Sequence, residues 1–433
     1  MKPAKPIARA AESPVSPPVN KSADEHTLYL EFAELSQKIP KRPLVLFFGR
    51  PTFSDNSKYL FLATARAAAN LEVVWCTFSK PLAASLAARG LKAFDVSADT
   101  RQTCQLLLHA SVAVFCENPA TALGLSSLLC GCLAGAQKIQ LWHGVSVKPL
   151  DLMLIEHLDI RDAKFRQQLR FATRVDHFVS TASALDGFWI RSFGCTSLVR
   201  AGQPRNEVLV RPPTAEEMID AELPPAQAEI LHASKQRKFL VTPTWQRGTA
   251  VYIATTAFYE RLARWAAAND GVVFVKQHPF LQRQGAPPPI GDQVFFLEAG
   301  VDIYPWMAKF DALITDYSSI MFDFMLTGRP IFTFNTRAQV ANGFEPDYSL
   351  IPEGDFRYEF DADNFEAVVA ENLGAHPLAA AQRELCGKLF ETDPGEACAQ
   401  LIQVIQDLSR HAVEKDFTLI SPARPAQLTR IAV

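Results

Sequence analysis

The sequence predicts an α/β protein built from two doubly wound halves that face each other across a cleft. Three observations predict it. From Pro43 onward, apolar runs of four to eight residues alternate with helical patterns, the signature of parallel βαβ units. The alternation breaks in the Pro- and Glu-rich stretch 211–236 and then begins again. In each half a strand ends on a histidine followed by Gly or Pro, His143 and His278, as if both halves presented a residue to shared space.

In chain order, LVLFFG (44–49) reads as the first strand, 57–70 as an Ala-rich helix and LEVVWCTF (71–78) as the second strand. The helix PLAASLAARG stops at Gly90, a C-terminal cap. LKAFDV, a helix over 100–110 and SVAVFCE (111–117) continue the pattern. Residues 118–137 carry no charge, long enough to cross a bilayer, but their Ala, Gly, Ser, Thr and Cys content favours a buried crossover helix over 120–135. KIQLW (138–142) follows, then a basic helical stretch over 150–175, HFVSTA (177–182) and TSLVRAG (196–202). The second series is KFLVTPTW (238–245), a helix over 250–268, GVVFVKQH (271–278), QVFFLE (293–298), DALITD (311–316), a helix over 318–326 and PIFTF (330–334). The helix 363–373 and the segment 378–409 close it. The expected divisions are a disordered tail over 1–40, a first half over 41–210, a linker over 211–236, a second half over 237–410 and a tail over 411–433.

Bulk composition narrows the classes. A net charge of −3 leaves no global basic field, so nucleic acid is not expected as a partner. The eight cysteines form no CxxC pair and several sit in apolar runs, which points to buried reduced thiols, a cytosolic habit, and away from zinc. No metal ligand is expected, and the need for a divalent ion is left open. The start of the chain has no apolar run of the kind a signal peptide carries.

Ligands of open parallel sheets bind beyond the carboxyl ends of the strands, so the reactive residues there matter most. Gly144 frees the backbone to turn after His143. TDYSS (315–319) places Asp316, Tyr317, Ser318 and Ser319 between a strand and a helix. A helix start offers unpaired N–H groups to a phosphate, and serine hydroxyls add donors; the competing reading is a simple helix cap by Asp316 or Ser318. TPTW (242–245) offers hydroxyls and an aromatic face through Thr244 and Trp245, and GQPRNEVL (202–209) presents Arg205, a forked phosphate donor.

Taken together, these stretches resemble the CDP-glycerol glycerophosphotransferase family of teichoic-acid and capsule synthesis, which has the GT-B fold. LWHGVSVKPL resembles that family's WHGTPLK motif, GQPRNEVL its GxPRND turn, FLVTPTWQ its APTWR strand and VKQHP its LHP motif. DIYPWMAKFDALITDYSSIMFDFMLTGRPIFTF resembles its C-terminal signature. The resemblance runs from about residue 110 to 350. VSV stands in place of TPL after WHG, Glu207 where Asp is usual and Gln246 where Arg is usual.

The resemblance implies transfer of an alditol phosphate from a CDP-alditol such as CDP-glycerol to a hydroxyl of a lipid-linked or polysaccharide acceptor, with release of CMP. It makes the first half the acceptor side and the second the donor side. It implies His143 as the base and His278 as a donor or acid at the pyrophosphate. Arg205, Ser318 and Ser319 would hold phosphate oxygens. Thr244, Trp245, Lys276 and Asp316 would line the donor site, with Gly144 and Asp323 orienting it. Asp316 is expected to shape its loop rather than react. The rival readings are a GT-B sugar transferase or nucleotide-sugar epimerase, and an inactive GT-B module. The implied place is the cytoplasm, peripherally on the inner membrane face. There the basic amphipathic stretch 160–175, with Arg161, Lys164, Arg166, Arg170 and Arg174, would meet anionic lipid.

Overall fold

Apolar runs flanked by helical patterns settle into two separate parallel sheets. The computed structural model describes residues 21–155, 173–244, 252–277, 290–335, 346–414 and 428–430. The first sheet has the order β14-β7-β6-β5-β4-β1-β2-β3. Its strands are β1 (Arg42–Phe48), β2 (Glu72–Thr77), β3 (Ala93–Asp95), β4 (Ala110–Phe115), β5 (Gln137–Gln140), β6 (His177–Ser180), β7 (Ser197–Arg200) and the short β14 (Leu428–Arg430). All pair in parallel except β14, which runs antiparallel to β7. The second sheet has the order β10-β9-β8-β11-β12-β13 and is wholly parallel. Its strands are β8 (Arg237–Thr242), β9 (Gly271–Val275), β10 (Val294–Phe296), β11 (Ala312–Thr315), β12 (Ile331–Phe334) and β13 (Tyr358–Phe360).

The continuous apolar strands are explained by burial on both faces. In β1, Val45 and Phe47 enter one core while Leu44, Leu46 and Phe48 enter another on the opposite face. In β8, Phe239 and Val241 likewise separate from Leu240. The cluster holding Leu240 does not stop at the second half. It also contains Trp142, Val145, Phe178 and Trp189 from the first, so one apolar core runs across the junction and fixes the halves relative to each other.

Several expected boundaries change. Within the expected tail 1–40, Lys21–Lys38 is a helix. Tyr29, Phe32 and Ser36 share one helical face against the helix Ser127–Cys132; Ser36 Oγ donates to Cys132 O at 2.6 Å, and a Cβ on Gly131 would lie 2.7 Å from Tyr29 O. The expected crossover helix 120–135 is two short helices, Pro119–Ala122 and Ser127–Cys132, separated by left-handed Gly124 and Leu125. The stretch 211–236 is more than a linker: Ile219 and Ala221 are buried, and Pro225–Ala233 is a helix anchored by Leu231. The sequence places the helix Ala397–Glu414, as far as residue 410, in the second half, but it lies on the first. Leu401 and Ile405 join the core of β1 and β4, Ser409 Oγ meets Ser111 Oγ at 2.7 Å, and the carboxylate of Glu207 accepts from Cys398 N at 2.6 Å. The expected tail from 411 therefore begins inside this helix and also supplies β14.

Candidate functional site

The carboxyl ends of both sheets face a cavity of about 390 Å³ at the junction. Arg50, Thr52, Asp55 and His143 line it from the first half, and Lys276, Asp302, Tyr304 and Ser319 from the second.

His143 is placed by an unusual turn. β5 ends at Gln140, Trp142 takes a left-handed φ of 55° and Gly144 a φ of 115°. Glycine is required at 144 for a second reason: a Cβ there would lie 2.8 Å from Arg205 Nη2. His143 Nδ1 lies 3.2 Å from the carbonyl of Cys116, so Nδ1–H donates and Nε2 keeps its lone pair. Burial, with the Arg50 and Arg205 cations, drives the imidazole down to about 3 against the opposing pull of Asp55. The ring is therefore neutral through the physiological range.

Arg205 lines the cavity and is also held by side chains of both halves. It is buried, with Nη1 donating to Asp55 Oδ1 at 2.6 Å and Nη2 to Asp323 Oδ2 at 2.6 Å and to His143 O at 2.8 Å. The guanidinium lies 4.4 Å from the Tyr304 ring centroid. With both terminal nitrogens held by two carboxylates and a carbonyl, Arg205 ties the halves together. Asp323 also accepts from Asn206 Nδ2 at 3.0 Å and Tyr304 OH at 2.7 Å. A second buried tie runs from Lys58 Nζ to Asp302 Oδ2 at 2.8 Å, with Tyr59 OH on the same oxygen at 2.7 Å.

Two further cations, Arg50 and Lys276, line the cavity beside Arg205. Arg50 pairs with Asp55 at 3.2 Å, and Asp55, although burial pushes its pKa up, is held below its ordinary value by Arg205 and Arg50. Lys276, just beyond β9, donates to the carbonyls of Glu298 and Ala299 at 2.7 Å each, and burial lowers it to about 8. Arg50 was missed by sequence reasoning, though GRPTF follows the first strand and the strand-end rule could have found it. Lys148 was also missed, despite lying within the quoted LWHGVSVKPL. Its Nζ stands 4.1 Å from the Tyr317 ring centroid, and burial lowers it to about 8, opposed by Asp316.

The TDYSS stretch divides its labour. Asp316 is buried and makes the turn, accepting from Thr244 N at 3.0 Å, Thr244 Oγ1 at 2.5 Å and Tyr317 N at 2.7 Å. Burial raises its pKa against these hydrogen bonds. Thr244 is thereby spent on Asp316. Neither serine hydroxyl caps the helix Ile320–Phe324; Ser319 Oγ reaches only His143 O, at 3.5 Å, and both serines are part-exposed. His278 and Trp245 lie outside the described residues, as does the basic stretch up to residue 172. Among the described residues no group of three or more His, Cys, Asp or Glu could hold a metal, and no helix is long and apolar enough to cross a membrane.

Two Rossmann-like sheets facing a cation-lined cavity across a shared core define a GT-B-type protein. The chain belongs to the CDP-glycerol:poly(glycerophosphate) glycerophosphotransferase family, which it matches over residues 31–361. It is 24% identical over 314 residues to the teichoic acid poly(glycerol phosphate) polymerase of Staphylococcus epidermidis, which covers 68% of this chain and 40% of that protein. It is 24% identical over 401 residues to the teichoic acid glycerol-phosphate transferase of Staphylococcus aureus, covering 88% and 97% respectively. The chain thus spans well under half of the polymerase but nearly all of the transferase. Among solved structures, the wall teichoic acid polymerase TagF superposes with a TM-score of 0.64 at 19% identity, covering 92% of this chain and 95% of that one. A single-histidine variant of TagF soaked with CDPG gives 0.65.

Proposed function

We propose that this protein transfers glycerol phosphate, or a related alditol phosphate, from a CDP-alditol to an acceptor hydroxyl, releasing CMP, in the synthesis of a teichoic-acid-like or capsule polymer. The observation that carries the reading is the convergence, in one cavity at the junction of the halves, of a neutral imidazole with Nε2 left as acceptor, the cations Arg50, Arg205 and Lys276, and the Ser319 hydroxyl, which caps no helix. In the transfer, the acceptor oxygen attacks the alditol-bearing phosphorus and forms the new O–P bond. The bond to the bridging oxygen breaks and its electron pair leaves with CMP. The acceptor proton goes to His143 Nε2. Lys276 and Arg50 balance the charge gathering on phosphate oxygens. The donor's own charge offsets the Arg50 and Arg205 fields that depress His143, so the imidazole gains proton affinity when the donor is in place.

The purified protein should release CMP from CDP-glycerol or CDP-ribitol in the presence of a lipid-linked or polymer acceptor. Turnover of UDP- or GDP-sugars alone, with nucleoside diphosphate as product, would sink the reading. Cytoplasmic, peripheral action on an anionic membrane belongs to the same proposal, and anionic vesicles added to the assay at low salt are the arm that reads it: no change in vesicle-bound protein or rate removes that part.

A smaller effect is expected at the helix start. Ser319→Ala should weaken CDP-alditol binding roughly tenfold, the cost of one hydrogen bond to a charged oxygen of about 1.5 kcal/mol. Its melting temperature should hardly move, because the hydroxyl caps nothing. Calorimetric titration beside a thermal melt reads both, and unchanged affinity would remove Ser319 from the donor site.

A further inference from the structure

We infer that Gln140 is the positioning residue that sets the orientation and tautomer of His143; the inference rests on the proposed role of His143 as base. Gln140 is fully buried at the end of β5 and uses both ends of its amide. Nε2 donates to the carbonyl of Glu117 at 2.9 Å, and Oε1 accepts from the N–H of Trp142 at 3.0 Å. One partner is a carbonyl and the other an N–H, so the orientation of the amide is fixed by its partners.

The two ends of this clamp are the two ends of the histidine's own support. Glu117 adjoins Cys116, whose carbonyl takes His143 Nδ1–H. Trp142 adjoins His143, and their ring centroids are 4.0 Å apart. Gln140 therefore ties the strand that carries the accepting carbonyl to the turn that carries the imidazole. The turn needs a tie, because a tryptophan avoids the left-handed φ it has here. Asn56 holds the other side of the same residue, donating from Nδ2 to Trp142 O at 2.8 Å. If the Cys116 carbonyl and the ring drift apart, the proton is no longer confined to Nδ1 and Nε2 is no longer kept as the acceptor.

Gln140→Leu removes both bonds at similar volume. Its kcat should fall on the order of 100-fold, the effect of a small misplacement of a reacting group, while KM for the donor stays within about twofold. Gln140→Glu keeps the acceptor for Trp142 but can donate to Glu117 O only when its carboxyl is protonated. The ratio of its kcat to that of the native protein should therefore climb as pH falls from 8 to 5.5. Glu117 and Asp151, each pushed up to about 7 by burial, and Arg50, Asp55 and His143 face the same region but occur in both proteins, so the ratio isolates position 140. Amide exchange over 141–145 should quicken at least tenfold in Gln140→Leu. A flat ratio, a loss of kcat/KM that comes from a large rise in KM with kcat little changed, or unchanged exchange overturns the inference. Should Gln140→Leu not fold, Gln140→Glu carries the test through its pH ratio and exchange. If the native protein releases no CMP from any CDP-alditol, the proposed function fails, while exchange still decides whether the clamp exists.

Discussion

Replacing His143 by alanine should lower turnover by roughly 100-fold or more and leave the fold intact. That is the range for losing a positioned general base. The expectation rests on three features: the lone pair left at Nε2 by the bond from Nδ1 to Cys116, the place of the ring on the junction cavity, and its neutrality. Because burial and two arginines hold the free ring at about 3, it contributes no acid limb near 6.5 to kcat/KM. The pH dependence of kcat/KM for CMP release from pH 5 to 8, with kcat and circular dichroism of both proteins, measures the effect. A variant at native rate would take His143 out of the mechanism, and an acid limb near 6.5 that disappears in the variant would contradict the depressed pKa.

The largest loss of stability is expected at Arg205. Arg205→Met leaves Asp55 and Asp323 buried without their shared cation, an arrangement that costs about 3–5 kcal/mol when one partner of a buried pair is removed. Urea unfolding should show the midpoint fall accordingly. Adding Asp323→Asn to that variant should recover part of the loss, because the uncompensated charge is gone while Asn206 and Tyr304 keep bonding partners. A single variant within about 1 kcal/mol of native would mean the guanidinium does not tie the halves.

The contrast between these two residues shows what the sequence could carry. His143 was legible because its context is local: an apolar strand ends and a glycine follows. β1, β4, β8, β9 and β11 were legible for the same reason, since burial on both faces writes itself as an unbroken apolar run. Arg205 was legible as a strand-end cation but not as an ion-paired tie. Its partners Asp55 and Asp323 are separated from it by 150 and 118 residues, and no local pattern announces them. Gln140 reads as one polar residue in a strand until the turn it clamps is seen. The helix Ala397–Glu414 shows the limit most plainly. Its amphipathic pattern gives a helix with an apolar face, but not which sheet receives that face.

That last helix has a consequence for how the protein is made. A nascent chain leaves the ribosome from its amino end, so β1 through β7 emerge long before Ala397. At 5–20 residues per second the ribosome needs roughly 10–40 s to deliver the intervening second half. Throughout that interval the face of β1 and β4 that Leu401 and Ile405 will cover stays open to water. The first half therefore cannot mature while it is being translated, even though its seven central strands are contiguous in the message. Its completion waits for residues 397–414, and a chain cut short anywhere in the second half leaves a first half with an uncovered apolar sheet.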